Sequence, residues 1–312
     1  MIQRPSLIAH KQGGARAFPR ASPAIYIVAL MVRRIATGVA LLAAVWILGA
    51  CEVASAIRAP RPRNAEPFNF RVSVGPSDFN IEGYFVSAPT HGRSPALLVL
   101  LGRDTNAAKC VEQGRSLAVS GVHVACVNIP GFGRSTGPSR FVGAQAVATA
   151  RRALDLLEQR PDVDAKRLAV WGVSDGAVAA GLLMDSDARP RAVILQSGAY
   201  DLLNLWPEAP VATKLAILRE VWPSRRVLRE RSVIENLPQR LDLDVLILHG
   251  ALDARMPVDQ ARRLEAALKA RGARVEARYF PNGRHNLGPR TTGPARQFIR
   301  ESLLGAGARA AS

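Results

Sequence analysis

Apolar and polar positions along the chain change rhythm at regular intervals, and from about residue 67 onward the rhythm predicts alternating strands and helices. FNFRVSV (68–74) and FNIEGYFVSA (79–88) alternate as half-exposed strands of a hairpin. ALLVLLG (96–102), VHVACVNI (122–129), RLAVWGV (167–173), RAVILQSG (191–198) and DVLILHG (244–250) are apolar almost throughout, as expected for strands covered on both faces. A helix is predicted at 107–120. Over 143–159, Val147, Ala150, Leu154 and Leu157 recur at spacings of three and four, with Arg151, Arg152, Asp155 and Glu158 off that stripe. DGAVAAGLLM (175–184) reads as a further helix. Pro257 opens another, striped by Ala261, Leu264 and Leu268, with Glu265 and Lys269 as an i,i+4 pair. RVEARYF (274–280) is the last strand and 294–304 the last helix. Such alternation predicts a mostly parallel sheet with helices on both faces. One stretch breaks it. Residues 202–240 hold Trp206, Trp222 and the helix-like VATKLAILREVW, with no strand, and read as a small helical cap or else a long crossover helix.

The beginning of the chain has a different pattern. Residues 35–50, IATGVALLAAVWILGA, carry no charge and follow Met31, Arg33 and Arg34. Read from Met31, this is the layout of a secretory signal; read from Met1, a second apolar block would precede the arginines. Met31 is therefore the expected start, and 1–50 the leader. The run ends Leu48-Gly49-Ala50-Cys51, which resembles the bacterial lipobox, although Gly49 is a less usual residue there. That resemblance implies lipidation of Cys51. A plain cleaved signal and an uncleaved one-helix anchor stay open, although the run is shorter than the ~20 residues a span needs. All three put the folded part in the periplasm or cell envelope, attached to the membrane by lipid or helix in the first and last case. Residues 51–66, with Pro60, Pro62 and several arginines, read as a tether, and 67–308 as the folded domain.

Composition narrows the partners. There are 42 Lys+Arg against 25 Asp+Glu, a formal net charge of +17. Residues 1–50 hold six of the bases and no acid, and the other bases are mostly arginines interspersed with acids. With aromatics at 5%, no base-stacking, basic surface is expected, and hence no nucleic-acid partner. Three cysteines are too few for a disulfide-built scaffold. Besides Cys51, Cys110 and Cys126 either pair in an oxidising compartment or remain buried thiols. No His/Cys/Asp cluster has ligand spacing, so neither metal nor cofactor is expected.

The reactive chemistry is concentrated after residue 166. Strand 167–173 runs into Gly172-Val173-Ser174-Asp175-Gly176, and a helix follows: G-x-S-x-G in a strand–turn–helix context. The turn must project the Ser174 hydroxyl above the sheet edge, and Gly172 and Gly176 lack the Cβ atoms that would clash there. The helix N-terminus favours negative charge on a reacting oxygen, and the Asp175 amide is placed to donate to it. A serine hydroxyl needs a base. His10 lies in the leader, His91 in an early loop, and His123 opens a strand. His249 ends one near the sheet's active edge, and His285 sits in the loop YFPNGRHNLG after the final strand. That loop can bring His285 to Ser174. The orienting carboxylate belongs between them in the chain, and Asp253 lies just past the carboxyl end of 244–250; Asp244 is at the wrong end and Asp259 is on the next helix.

The order Ser174, Asp253, His285 with these flanks resembles the α/β-hydrolase superfamily over roughly residues 67–305. RPDVDAKRLAVWGVSDGA (160–177) resembles the run into the nucleophile of prolyl-oligopeptidase-like and dienelactone-hydrolase-like members, NIPGFGRSTG (128–137) their Gly-rich turn, and LQSGAYDL (195–202) the segment after the nucleophile helix. The resemblance implies an α/β-hydrolase fold with an eight-stranded sheet. It also implies a second oxyanion amide after the third core strand. Members often carry His-Gly there, whereas this chain has Leu101-Gly102-Arg103-Asp104, which makes the Arg103 amide the candidate. Dienelactone hydrolases proper use a cysteine nucleophile, so Ser174 argues against that activity. The implied function is a serine hydrolase acting on a small acyl substrate, with a carboxylic ester as the expected bond. Thioester, amide and small-peptide bonds stay open, and a non-catalytic envelope binding protein is the alternative from another class.

Overall fold

The computed structural model describes residues 62, 65–103 and 105–305. Strands β1 (Glu66–Pro67), β2 (Phe70–Val74), β3 (Ser77–Ile81) and β4 (Gly83–Val86) come first. Then β5 (Ser94–Leu101), β6 (His123–Asn128), β7 (Val163–Val173), β8 (Pro190–Gln196), β9 (Asp244–Gly250) and β10 (Arg274–Phe280) alternate with helices. Eight of them form one sheet in the order β1-β4-β6-β5-β7-β8-β9-β10. β5 to β10 run parallel to one another, while β4 is antiparallel to β1 and to β6.

Why the central strands are apolar throughout is plain from their two faces. Along β5, Leu98 and Leu100 pack into the core formed with α2 (Ala144–Glu158), α3 (Asp175–Leu183) and α7 (Asp259–Ala270). Leu97, Val99 and Leu101 pack on the opposite side against α1 (Ala107–Ala118) and α8 (Thr292–Leu304). Period-two alternation thus distributes one strand between two cores. Each such side chain removed from water contributes roughly 1.5–3 kcal/mol. The helices carry the predicted stripes: Ala150, Leu154 and Leu157 of α2 and Ala261, Leu264 and Leu268 of α7 are all buried. Lys269 Nζ donates to Glu265 at 2.7 Å.

The structure revises three details. The predicted hairpin is real but smaller: β2 and β3 pair as a separate two-stranded sheet, and the chain then kinks so that β4 joins the main sheet. The break falls at Glu82, and at Gly83, which begins β4, a Cβ would stand 2.5 Å from the Phe68 carbonyl oxygen. Ordered pairing begins at Glu66, inside the stretch read as tether, because β1 adds to β4. The strand before Ser174 begins at Val163 rather than at 167, its first residue pairing with Ser94.

Residues 202–240 form α4 (Leu202–Glu208), α5 (Val211–Leu218), α6 (Arg225–Glu230) and a short 3-10 turn (Ile234–Asn236), without a strand. Cys110 of α1 and Cys126 of β6 are joined by a disulfide. The leader 1–50 with its start at Met31, the lipidation site Cys51 and most of the tether lie outside the described residues. Among the described residues, no helix is long and apolar enough to cross a membrane.

Candidate active site

β7 delivers Ser174 to the carboxyl edge of the sheet, the edge at which open α/β sheets bind ligands. The serine sits at φ +55°, a left-handed conformation costing on the order of 1–3 kcal/mol. The surroundings enforce it. Its amide donates to the Gln196 carbonyl at 2.9 Å, and its own carbonyl accepts from Ala177 at 2.9 Å. The flanking glycines permit the close approach. A Cβ on Gly172 would lie 2.2 Å from the Gly176 carbonyl oxygen, and one on Gly176 would lie 2.1 Å from that of Leu100.

Asp253 and His285 reach Ser174 from the loops after β9 and β10. These loops are fastened to each other. Leu252 donates to the Gly283 carbonyl at 2.8 Å, and a Cβ on Gly250 would stand 2.5 Å from the carbonyl oxygens of Gly283 and Arg284. Side-chain geometry follows from this backbone contact. His285 Nδ1 is 2.8 Å from Asp253 Oδ2, and His285 Nε2 is 3.0 Å from Ser174 Oγ. A carboxylate only accepts, so Nδ1 carries the hydrogen and Nε2 turns a lone pair toward the serine hydroxyl. The second oxygen of Asp253 accepts from the amides of Arg255 and Met256, both at 2.9 Å. Its side chain is wholly buried. Burial alone would raise its pKa, but the His285 hydrogen bond and the Met256 amide prevail and hold it below the usual carboxylate range.

The structure brings all three predicted side chains together. It also brings Asp175 to the N-terminus of α3 and puts the loop after β5 against it: a Cβ on Gly102 would stand 2.8 Å from the Asp175 amide nitrogen. The side chain of Arg103, next in that loop, lies over the Phe132 ring at 5.3 Å and 3.7 Å from Asp175 Oδ2, and donates to the carboxylate of Glu220.

Two more side chains border the triad: Glu220, which the sequence did not single out, and His249, which it placed near this edge without a role. Glu220, just after α5, accepts from Arg103 and, at 2.6 Å, from the Phe141 amide. Phe141 lies inside a run of three left-handed residues, Arg140, Phe141 and Val142. The one sequence hint was that Glu220 is the single acid between 209 and 229. His249 lies beneath the aspartate, its Nε2 2.9 Å from the Met256 carbonyl oxygen and 3.5 Å from Asp253 Oδ2. A carbonyl only accepts, so this Nε2 carries the hydrogen. Burial pushes the His249 pKa below its usual value, which keeps the ring neutral. Among the described residues, no group of three His, Cys, Asp or Glu side chains is placed to hold a metal ion.

Comparison with known proteins places the chain among its relatives. The model of the prolyl oligopeptidase family matches residues 139–301. The uncharacterized peptidase YuxL of Bacillus subtilis is 28% identical over 149 residues, 47% of this chain and 22% of that protein. The acylamino-acid-releasing enzyme 2 of Oryza sativa is 25% identical over 232 residues, 68% of this chain and 30% of that protein. The chain thus spans less than a third of either relative. Among solved structures, an acylaminoacyl peptidase of Pyrococcus horikoshii superposes with a TM-score of 0.64 at 18% identity, covering 78% of this chain and 43% of that one. Acetyl xylan esterase 1 of Thermoanaerobacterium superposes at 0.61 and 17% identity, covering 78% and 85%. At such identities the superpositions establish the α/β-hydrolase fold.

Proposed function

The chain belongs to the prolyl oligopeptidase family, and from that premise we propose that it is a serine hydrolase cleaving a carboxylic ester through an acyl-enzyme. The observation that carries the reading is the continuous hydrogen-bond chain from Asp253 through His285 to Ser174. In this mechanism Ser174 Oγ attacks the acyl carbon while its proton passes to His285 Nε2. Asp253 holds the ring in the required tautomer and stabilises the imidazolium. The oxyanion is held by the Asp175 amide and by that of Arg103. His285 returns the proton to the departing alkoxide, then takes one from water, whose oxygen attacks the acyl carbon; as the bond from acyl carbon to Oγ breaks, His285 gives that proton to Ser174 Oγ.

An ester is the least demanding substrate, since an amine must be protonated before its bond to carbon breaks. Amide cleavage is the second reading, favoured by the peptidase names of the relatives. Incubation with a fluorophosphonate tests the nucleophile: labelling that disappears in Ser174→Ala is expected, and a folded wild-type protein that stays unlabelled refutes the proposal. A panel of p-nitrophenyl esters, thioesters and aminoacyl anilides separates the two bond classes.

The same reading includes export and membrane attachment through Cys51. The Cys110–Cys126 disulfide supports it, because such bonds persist in oxidising compartments. A lipid-modified N-terminal Cys51, seen by mass spectrometry and missing from Cys51→Ser, is expected, and an unmodified Cys51 in the exported protein contradicts lipidation.

A further inference from the structure

Helix α5 bridges the two flanks of the Ser174 site. Near its start, Thr213 Oγ1 donates at 2.9 Å to the carbonyl of Arg255, two residues beyond Asp253. Just past its end, Glu220 accepts from Arg103, beside Asp175. Thr213 and Ile217 are buried, which fixes the inner side of the helix. Its outer side should then be polar, as on an ordinary surface helix. It is not. Val211 and Leu218, two helical turns apart and so on one side, are 74% and 43% exposed, and Trp222 follows at 80%. Leu252, in the loop that Thr213 fastens, is 56% exposed. Four of the five exposed large apolar side chains among the described residues therefore belong to this segment and its neighbouring loop; the fifth is Val119 on the far side of the sequence. Single exposed apolar residues are ordinary, but a group at the mouth of a site marks an interaction surface.

Charge selects the occupant. Between residues 208 and 231 six cations, Lys214, Arg219, Arg225, Arg226, Arg229 and Arg231, stand against three carboxylates, Glu208, Glu220 and Glu230, with Arg226 paired to Glu230 at 2.7 Å and Arg229 to Glu235 at 3.6 Å. Glu220 is turned inward onto Arg103 and adds little negative charge to the outer surface, so cations remain in excess there. Separate aliphatic side chains and a tryptophan amid arginines suit the headgroup layer of an anionic bilayer, where the apolar groups enter the acyl boundary and the cations meet lipid phosphate. We propose that the outer face of residues 211–226 docks on an anionic lipid bilayer, so that the Ser174 site opens next to the membrane surface. This goes beyond the proposed hydrolysis and does not depend on it: Ser174→Ala should dock as the wild type does.

The test uses the full chain and its Trp222→Phe variant, each mixed with vesicles of brominated phosphatidylcholine, with or without phosphatidylglycerol. With phosphatidylglycerol present, bromine should quench a component of the tryptophan emission that is missing from Trp222→Phe, and phosphatidylcholine alone should leave that component unquenched. Subtracting the variant removes any signal from Trp46 in the leader. Arg225→Gln should weaken this docking by about fivefold, the effect of one surface cation. Thermal melts and hydrolysis of a water-soluble ester, unchanged in both variants, show that the fold is intact. The proposal is overturned if wild type and Trp222→Phe are quenched alike, or if the lipid's charge makes no difference. It is equally overturned if a soluble polyanion such as dextran sulfate shifts the Trp222 emission while anionic vesicles do not, since the partner is then an acidic macromolecule.

Discussion

Replacing Asp253 by asparagine changes one oxygen into an NH2 group, and the structure dictates where that group points. If the amide oxygen faced His285, the NH2 would face the two amide donors of Arg255 and Met256, both now at 2.9 Å from Oδ1. That arrangement leaves two buried N–H groups unpaired, at about 1–3 kcal/mol each. The oxygen therefore stays with the backbone amides, and the NH2 faces His285 Nδ1. His249 Nε2, 3.5 Å from the same position, offers no acceptor, because its hydrogen is given to the Met256 carbonyl. The only relief is a tautomer change in His285: Nδ1 becomes the acceptor, and the hydrogen moves to Nε2, which faces Ser174. In that form the imidazole cannot take the serine proton. A comparable exchange in a serine protease lowers kcat by about 10⁴-fold, or roughly 5.5 kcal/mol of barrier, and the same order is expected here. Steady-state hydrolysis of a p-nitrophenyl ester measures it, with KM nearly unchanged because the pocket is untouched. Stability should fall by only about 1 kcal/mol in urea melts, since the backbone hydrogen bonds survive. A kcat within tenfold of wild type would refute the tautomer argument and the assignment of Asp253 with it.

Three further outcomes are expected. Glu220→Ala removes the shared acceptor of Arg103 and Phe141, and should cost about 2–3 kcal/mol once the partial exposure of Arg103 is allowed for. If the Arg103 amide serves the oxyanion, kcat should also drop by up to 10²-fold; unchanged kcat and stability would show that the contact is idle. Reducing Cys110–Cys126, which closes a loop of sequence separation 16, should lower unfolding free energy by about 3 kcal/mol, read as the shift between denaturant curves with and without reductant. Acidification should destabilise the fold through His249. Its folded pKa is lowered by burial, so below pH ~6.5 the unfolded chain binds a proton that the folded one does not. Stability should be full above that pH and fall by up to about 1.4 kcal/mol per pH unit below it, until the lowered folded pKa is reached. His249→Gln should flatten this slope, and an unaltered slope assigns the effect to another group.

The α/β order, the elbow at Ser174 and the sequence of Ser174, Asp253 and His285 were legible in the linear pattern because each is set by its near neighbours. An apolar run of seven residues can only be a doubly covered strand or a buried helix, and the glycines at 172 and 176 have meaning within one turn. The hairpin was half legible: alternation located β2 and β3 but not the break at Glu82, after which Gly83 packs against the Phe68 backbone fifteen positions earlier. Cys110 and Cys126 could be named as candidates, but their pairing required α1 to pack on β6.

What the sequence by itself determined was the set of elements and the chemistry they carry, since helical and strand periodicity and turn glycines act over a few residues. The tertiary structure alone decided which groups meet. Asp253 and His285 align because Gly250 lets their two loops touch, backbone to backbone. His249 lies under Asp253 because the chain turns back after β9, with the Asp253 amide donating to the Gly250 carbonyl at 3.2 Å. Glu220 joins Arg103 across 117 positions and Phe141 across 79. Contacts at such separations carry no local signature. They form only when burial of both faces of the sheet brings the ends of its strands together, and with them the loops that hold the site.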